Sequence, residues 1–277
     1  MVTTVDFRQF LQRFSENFKP YYFTIWQNMH SQEGVSCTAG ASRIRMTSAK
    51  GLPIADAFHE LQHQPDETFT RTSYKQLCGE MYLQYAFATE HLGIKIEPYL
   101  ESGDPYENSR AMRTDAVTNK HLYFLPTTDQ AFGSGTPDMT GNWMTRETDI
   151  EVAGYPLLIN DVFRAVHDLF GHAIPNTTFG PSGEERAWHC HSRMCTALAL
   201  PALTTETRGQ NCWVNFGPHM RSGAGKLHDD GNPGWLPPSQ RPFAVQKNGL
   251  LPSWISGIAL IQDAHGLIQC REEQRLH

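Results

Sequence analysis

Two histidine pairs in this sequence have spacings suited to metal chemistry. His59-Glu60-Leu61-Gln62-His63 is a literal HExxH. On a helix its i, i+4 spacing sets both imidazoles on one side, where they bind Zn²⁺ while the glutamate activates a water. His167-Asp168-Leu169-Phe170-Gly171-His172 places its histidines five apart. An ideal α-helix turns the second ring partly away at that spacing, so the pair shares a metal only if the helix loosens at Gly171. With 13 histidines in 277 residues, about 0.6 pairs arise by chance at any one spacing, and ~0.06 once an acid must follow the first histidine. The surroundings therefore have to separate the two motifs.

After His63 comes Gln64-Pro65, which stops a helix where a zincin helix continues, and neither Glu67 nor Glu80 falls at a familiar third-ligand spacing. The first motif thus reads better as a solvated helix face with Phe58 and Leu61 inward. The second is followed within twenty residues by Glu184, Glu185, His189 and His191. On a helix starting near Gly183, Glu184, Trp188 and His191 lie at i, i+4, i+7, so a carboxylate and an imidazole share a face beside an indole. Two histidines and a carboxylate with open positions form the facial triad of non-haem Fe(II) oxygenases. The expectation is one divalent metal, Fe(II) with Zn or Mn as alternatives, held by His167, His172 and Glu184. Glu185 and Glu206 stand as the other carboxylate candidates. Asp168, Glu185, His191 and Arg208 are the expected catalytic residues, with His191 either orienting a ligand or binding the metal. The bland alternative makes His167 and His172 buried residues satisfied by backbone, and Glu184 and Glu185 charges at a helix N-terminus.

FRAVHDLFGHAIP resembles the iron-ligating segment of the biopterin-dependent aromatic amino acid hydroxylases over about ten residues. Matched residue by residue, His167 and His172 fall on the two iron-binding histidines, and Asp168 replaces the family's glutamate. The family's third ligand is a glutamate some forty residues beyond the second histidine, where this chain has Cys212, so the resemblance implies a site and leaves the carboxylate open. Over PYENSRAMRTDAVTNKHLYFLPT, FRAVHDLFGHA, GEERAWHCH and TETRGQNCWVNFGPH the chain also looks like an uncharacterised domain of bacteriophage and mobile-element proteins. That likeness implies a bacterial or phage-infected cytoplasm and names no reaction.

The neighbouring His167 and Asp168 are also similar to the metal ligands of HD-type phosphohydrolases, with one extra residue before the glycine and His121 as an upstream ligand. A metal-dependent hydrolase is accordingly the alternative enzyme class, and a non-enzymatic phage accessory protein the alternative outside enzymology. In TETRGQNCWVNFGPH, Glu206, Arg208, Gln210, Asn211 and Asn215 interleave with Trp213 and Phe216. Such a mixture suits the floor of a polar pocket, with Arg208 gripping a carboxylate or phosphate, and equally a turn-rich connector.

The elements that must position these residues read as a mainly helical α+β single domain, 1–277, with long irregular loops. Helices are expected at 5–18, 53–64, 73–92, 157–173 and from about 182 to 201, with short strands near IKIEPYL and at 121–126. Residues 127–150 read as a long surface loop, and the Gly/Pro-rich 217–252 as irregular. The apolar share of 39% suffices for a core. Net charge is −6 with scattered Lys and Arg, which argues against nucleic acid as a dedicated partner and leaves a small-molecule substrate. No run of about 18 apolar residues is present, so no membrane span is expected. Six cysteines without a CxxC read as free thiols in a reducing compartment.

Overall fold

The computed structural model describes residues 19–30, 43–128 and 141–274. The expected helix over 5–18 lies outside them. The fold class is mixed α+β and mainly helical, with irregular loops, and the strands pair only in twos. None of the described helices is long and apolar enough to cross a membrane. The described residues are organised as two compact units, each assembled from separate stretches of sequence: one from 19–30, 43–44, 78–126 and 144–196, the other from 45–77, 127–128, 141–143 and 197–274.

The first unit carries the second histidine motif. Its parallel pair, Lys95–Pro98 with His121–Phe124, runs in register from Lys95 opposite His121 to Pro98 opposite Phe124. The two-residue side-chain period turns Ile96, Leu122 and Phe124 into the core. Helix Ile159–His167 buries Ile159, Val162, Phe163 and Val166, an i, i+3, i+4, i+7 stripe. Its first turn is fastened by Asp161, whose carboxylate accepts from the Leu158 N–H at 2.9 Å. Phe170 stacks on Phe87 with centroids 5.7 Å apart, and Tyr22 meets Phe87 edge-on. These rings hold the motif's backbone against the core.

Several expected boundaries change. The loop reading of 127–150 gives way at its end to a hairpin, Glu147–Val152 with Tyr155–Leu158. Ala153 and Gly154 close it with φ of 52° and 82°, the positive pair that a two-residue hairpin turn needs. The expected helix 157–173 is α-helical only to His167 and continues as a π-helical turn, Asp168–Ala173. The long helix expected from 182 to beyond 195 stops at Ser192. The 73–92 helix starts earlier, at Thr68, and turns π-helical over Phe87–His91.

In the second unit, helix Ser48–Glu60 packs on Gln210–Phe216 around Ile54, Phe58 and Cys212. Gly51 permits that approach, since a Cβ there would lie 2.4 Å from the Phe216 ring. TETRGQNCWVNF, read as pocket floor or connector, is instead helical over Thr205–Phe216. Residues 217–252 are irregular apart from short 3₁₀ turns. Glu206 is buried here. It accepts from the Tyr74 hydroxyl at 2.5 Å, from Gln210 Nε2 at 2.7 Å and from Gln246 Nε2. Burial lifts its carboxyl to about 7, against the pull of those donors. A folded-state value above the ordinary 4.5 means that the folded protein holds the extra proton, so stability falls as pH rises from about 4.5 to 7, by roughly 3 kcal/mol in all. Denaturant titrations of wild type and Glu206→Gln across pH 4.5–7.5 should show this slope in the wild type and its loss in the variant. An identical slope in both would remove Glu206 as its source.

Candidate metal centre

His167 ends an α-helix and His172 sits five residues on, in the π-helical turn Asp168–Ala173. Five residues of α-helix rotate a side chain by about 500°, leaving it ~140° from the first. Here the backbone bonds widen to i, i+5, with Ile174 N–H to Leu169 O at 2.9 Å and Thr177 N–H to His172 O at 3.0 Å. The extra residue per turn returns His172 to the side of His167, their ring centroids 5.2 Å apart and nearly perpendicular. Such π segments occur often at functional sites. Gly171 makes room: a Cβ there would lie 3.0 Å from His167 Cε1 and 3.3 Å from Ala187 Cβ. Arg113 secures the end of the turn, donating to Ala173 O at 2.7 Å and Ile174 O at 2.8 Å.

Glu184 comes from the first turn of helix Pro181–Ser192. Its Oε2 lies 3.3 Å from His172 Nε2 and 4.0 Å from His167 Nε2. Ligand atoms of all three residues fall within 4.8 Å of one another. Donors about 2.1 Å from a common ion, at octahedral or tetrahedral angles, would be roughly 3–3.5 Å apart. The set fits a divalent cation after small side-chain adjustments.

Neighbouring groups fix both rings. Thr177 Oγ1 donates to Gly171 O at 2.7 Å, so its contact with His172 Nδ1 at 3.0 Å is accepted from the ring N–H. In the neutral ring His172 Nε2 is then the lone pair, on the side of Glu184. Phe163 lies parallel to the His167 ring, with centroids 6.0 Å apart. Phe179, 43% exposed, meets the His172 ring edge-on at 5.3 Å. Phe179 and the 22% exposed Glu184 side chain mark the solvent side of the centre.

Electrostatics follow from burial and proximity. Burial opposes ionisation of Glu184, yet the charges and N–H groups of His172 and His167 outweigh it and hold the carboxyl at about 2. His172 is raised from 6.5: burial lowers it, and Glu184 more than offsets that. Burial raises Asp168. Burial, then His167 and His172, push His191 well down, so that ring is neutral. His191 is fully buried and bonded at both nitrogens, to His167 Nδ1 at 3.1 Å and to Gln84 Oε1 at 2.7 Å.

The other sequence candidates are distributed as follows. Asp168 adjoins the centre, half-buried at the start of the π turn. Glu185 is buried and outside the cluster. Arg208 and Glu206 belong to the second unit; Arg208 is buried and donates to Ile255 O at 2.6 Å, which makes it a strut for that backbone. The alternative HExxH zinc site has no helical turn behind it, because its helix ends at Glu60 and Leu61 leaves helical geometry, so the two histidines do not share a turn. His59 Nδ1 accepts from Trp213 Nε1, and His63 Nδ1 from the Asn248 N–H. His121 is tied to Asp115 and Glu97, one carboxylate to each nitrogen. Sequence reasoning missed Gln84, Thr177 and Arg113, which carry no local motif. Comparison with protein families, curated proteins and solved structures finds no match.

In the metal-free protein, the Glu184–His172 pair should stabilise the fold fully between about pH 4.5 and 6.5. As pH falls from 4.5 toward 2, Glu184 protonates and its contribution goes. Above 6.5 the contribution of His172 is lost as pH rises through its raised value. Unfolding measurements over pH 3–9 should show this plateau in wild type and a flatter profile in Glu184→Gln; superimposable profiles would contradict the pair.

Proposed function

We propose that His167, His172 and Glu184 bind one divalent metal, Fe(II) in preference to Zn or Mn, and that the protein is a non-haem oxygenase acting on a small molecule or on a modified base or amino acid. The observation carrying this reading is the convergence of two imidazole Nε2 atoms and one carboxylate at a partly open site. Two histidines and a carboxylate on one face leave coordination positions free, the arrangement used by oxygen-activating ferrous enzymes. The likeness of HDLFGHAIP to an iron-ligating segment points the same way. Bound Fe(II) would supply O₂ activation.

The protein's own groups would do the rest. Glu184 and the two rings bind the ion, and Thr177 keeps His172 aimed at it. Phe163 and Phe179 wall the rings with apolar surface, which excludes water from part of the site. Asp168, half-buried beside the ligands, can accept or return a proton.

Asp168 also gives a second reading its specific support. A carboxyl raised by burial beside a metal site can serve as general base, and with Zn or Mn the same ligands would then support hydrolysis.

Protein prepared anaerobically with Fe(II) should hold one equivalent and, with nitric oxide, give the electron paramagnetic resonance signal of an open ferrous site. His167→Ala and His172→Ala should each lose stoichiometric metal, and Glu184→Gln should weaken binding by more than the roughly 10- to 100-fold that losing a hydrogen bond behind a ligand costs. Glu185→Gln, Glu206→Gln and His59→Ala should bind as wild type. Retained metal in the His167 and His172 variants would refute the site. Turnover with Zn²⁺ in the absence of O₂ would replace oxygenase by hydrolase.

A further inference from the structure

Gln84 stands 83 positions before His167 and touches neither proposed histidine ligand directly, yet its amide decides which nitrogen of His167 can receive a metal. It lies on helix Thr68–Ala86. Its Nε2 donates to Met194 O at 3.2 Å and approaches Cys195 Sγ at 3.6 Å, while its Oε1 lies 2.7 Å from His191 Nε2. Met194 O is a carbonyl and already accepts from the Tyr22 hydroxyl at 3.1 Å. A carbonyl cannot donate, so the amide nitrogen must be the group that faces it. Turning the amide over would set two carbonyl oxygens against each other in a buried site, the unpaired arrangement that costs most.

The rest follows by exhaustion of donors. Gln84 Oε1 can only accept, so His191 carries its proton on Nε2. His191 is fully buried and its nitrogens face only that amide oxygen and another imidazole, with no carboxylate to hold a charge, so its ring is neutral, carries one N–H and leaves Nδ1 as a lone pair. That lone pair lies 3.1 Å from His167 Nδ1, which must therefore hold the proton. In the neutral ring His167 Nε2 is then the nitrogen left for a metal, and it is the one that faces Glu184. The reverse assignment fails at its first step, because a lone pair on His191 Nε2 would oppose the lone pair of Gln84 Oε1.

We propose that Gln84 is a positioning residue of the metal centre, and that the chain Met194 O, Gln84, His191, His167 presets His167 as an Nε2 ligand. The proposal rests on the metal reading above and makes His191 an orienting residue, with neither nitrogen free to bind the ion. His172 reaches the same tautomer separately, through Thr177. Hydrogen bonds from the far ring nitrogen commonly fix the tautomer and orientation of metal-bound histidines, and their loss costs roughly 10- to 100-fold in affinity. Here the partner of that far nitrogen is another histidine, whose direction is fixed by an amide 107 residues away.

Long-range proton–nitrogen correlation NMR of metal-free protein labelled with ¹⁵N-histidine reads ring tautomers directly and needs no activity. Wild type should show His191 protonated at Nε2 and His167 at Nδ1. His167 unprotonated at Nδ1, or His191 protonated at Nδ1, would overturn the proposal whatever the protein binds. Gln84→Met, close in volume but without donor or acceptor, should give mixed tautomers at both rings and a Zn²⁺ affinity lower by roughly 10- to 100-fold. Unchanged tautomers and affinity in a folded Gln84→Met protein would remove Gln84 from the role. If that variant fails to fold, the wild-type spectrum still decides. The assigned tautomers in a wild-type protein that takes up no metal would refute the metal reading and leave the relay standing; metal uptake with His191 protonated at Nδ1 would refute the relay alone.

Discussion

The centre depends on one backbone constraint: two imidazoles five residues apart must face the same point, and regular α-helix forbids it. The chain meets the constraint with a π-helical turn from Asp168 to Ala173. A π turn is rare in proteins, and contacts around this one hold it in place. Arg113 binds its last carbonyls, Thr177 binds Gly171 O, and Phe170 anchors it against Phe87. Gly171 supplies the remaining condition by leaving space for the His167 ring. Without the turn, Glu184 would have only one histidine to face.

Charge balance follows from that geometry. Glu184 and Asp168 bring two carboxyls to a site where both histidines are largely buried. In the metal-free protein, protonated His172 offsets Glu184, which is why the one is raised and the other depressed. A divalent cation would occupy the same position with more charge, so protons and metal compete for one set of lone pairs. His191, neutral and bonded at both nitrogens, adds no charge of its own.

Local spacing made part of this centre legible. The histidine pair stood out by its pattern, and Glu184 emerged over Glu185 from helical phase, since Glu184, Trp188 and His191 share a face of Pro181–Ser192. The π turn left only Gly171 as a trace. Gln84 and Arg113 were invisible because their roles come from tertiary contacts that no periodicity encodes. Arg208 and Glu206 misled for a related reason: directed polar groups between aromatics suit a pocket floor, but burial turned both into internal fasteners. The strand Glu147–Val152 hid in a Thr- and Asp-containing stretch whose outward positions carry the polarity. Helix type, by contrast, was readable wherever a long apolar stripe ran, as in Ile159–His167.

The central claim is that one ion sits between His167, His172 and Glu184. Anomalous diffraction from crystals grown with Fe(II) under anaerobic conditions, recorded on both sides of the iron absorption edge, tests it most directly. The account predicts a single strong iron peak roughly 2.0–2.2 Å from the Nε2 atoms of both histidines and from a Glu184 carboxylate oxygen. A peak on His191 or at His59 and His63, or no peak within the centre at full metal loading, would contradict it.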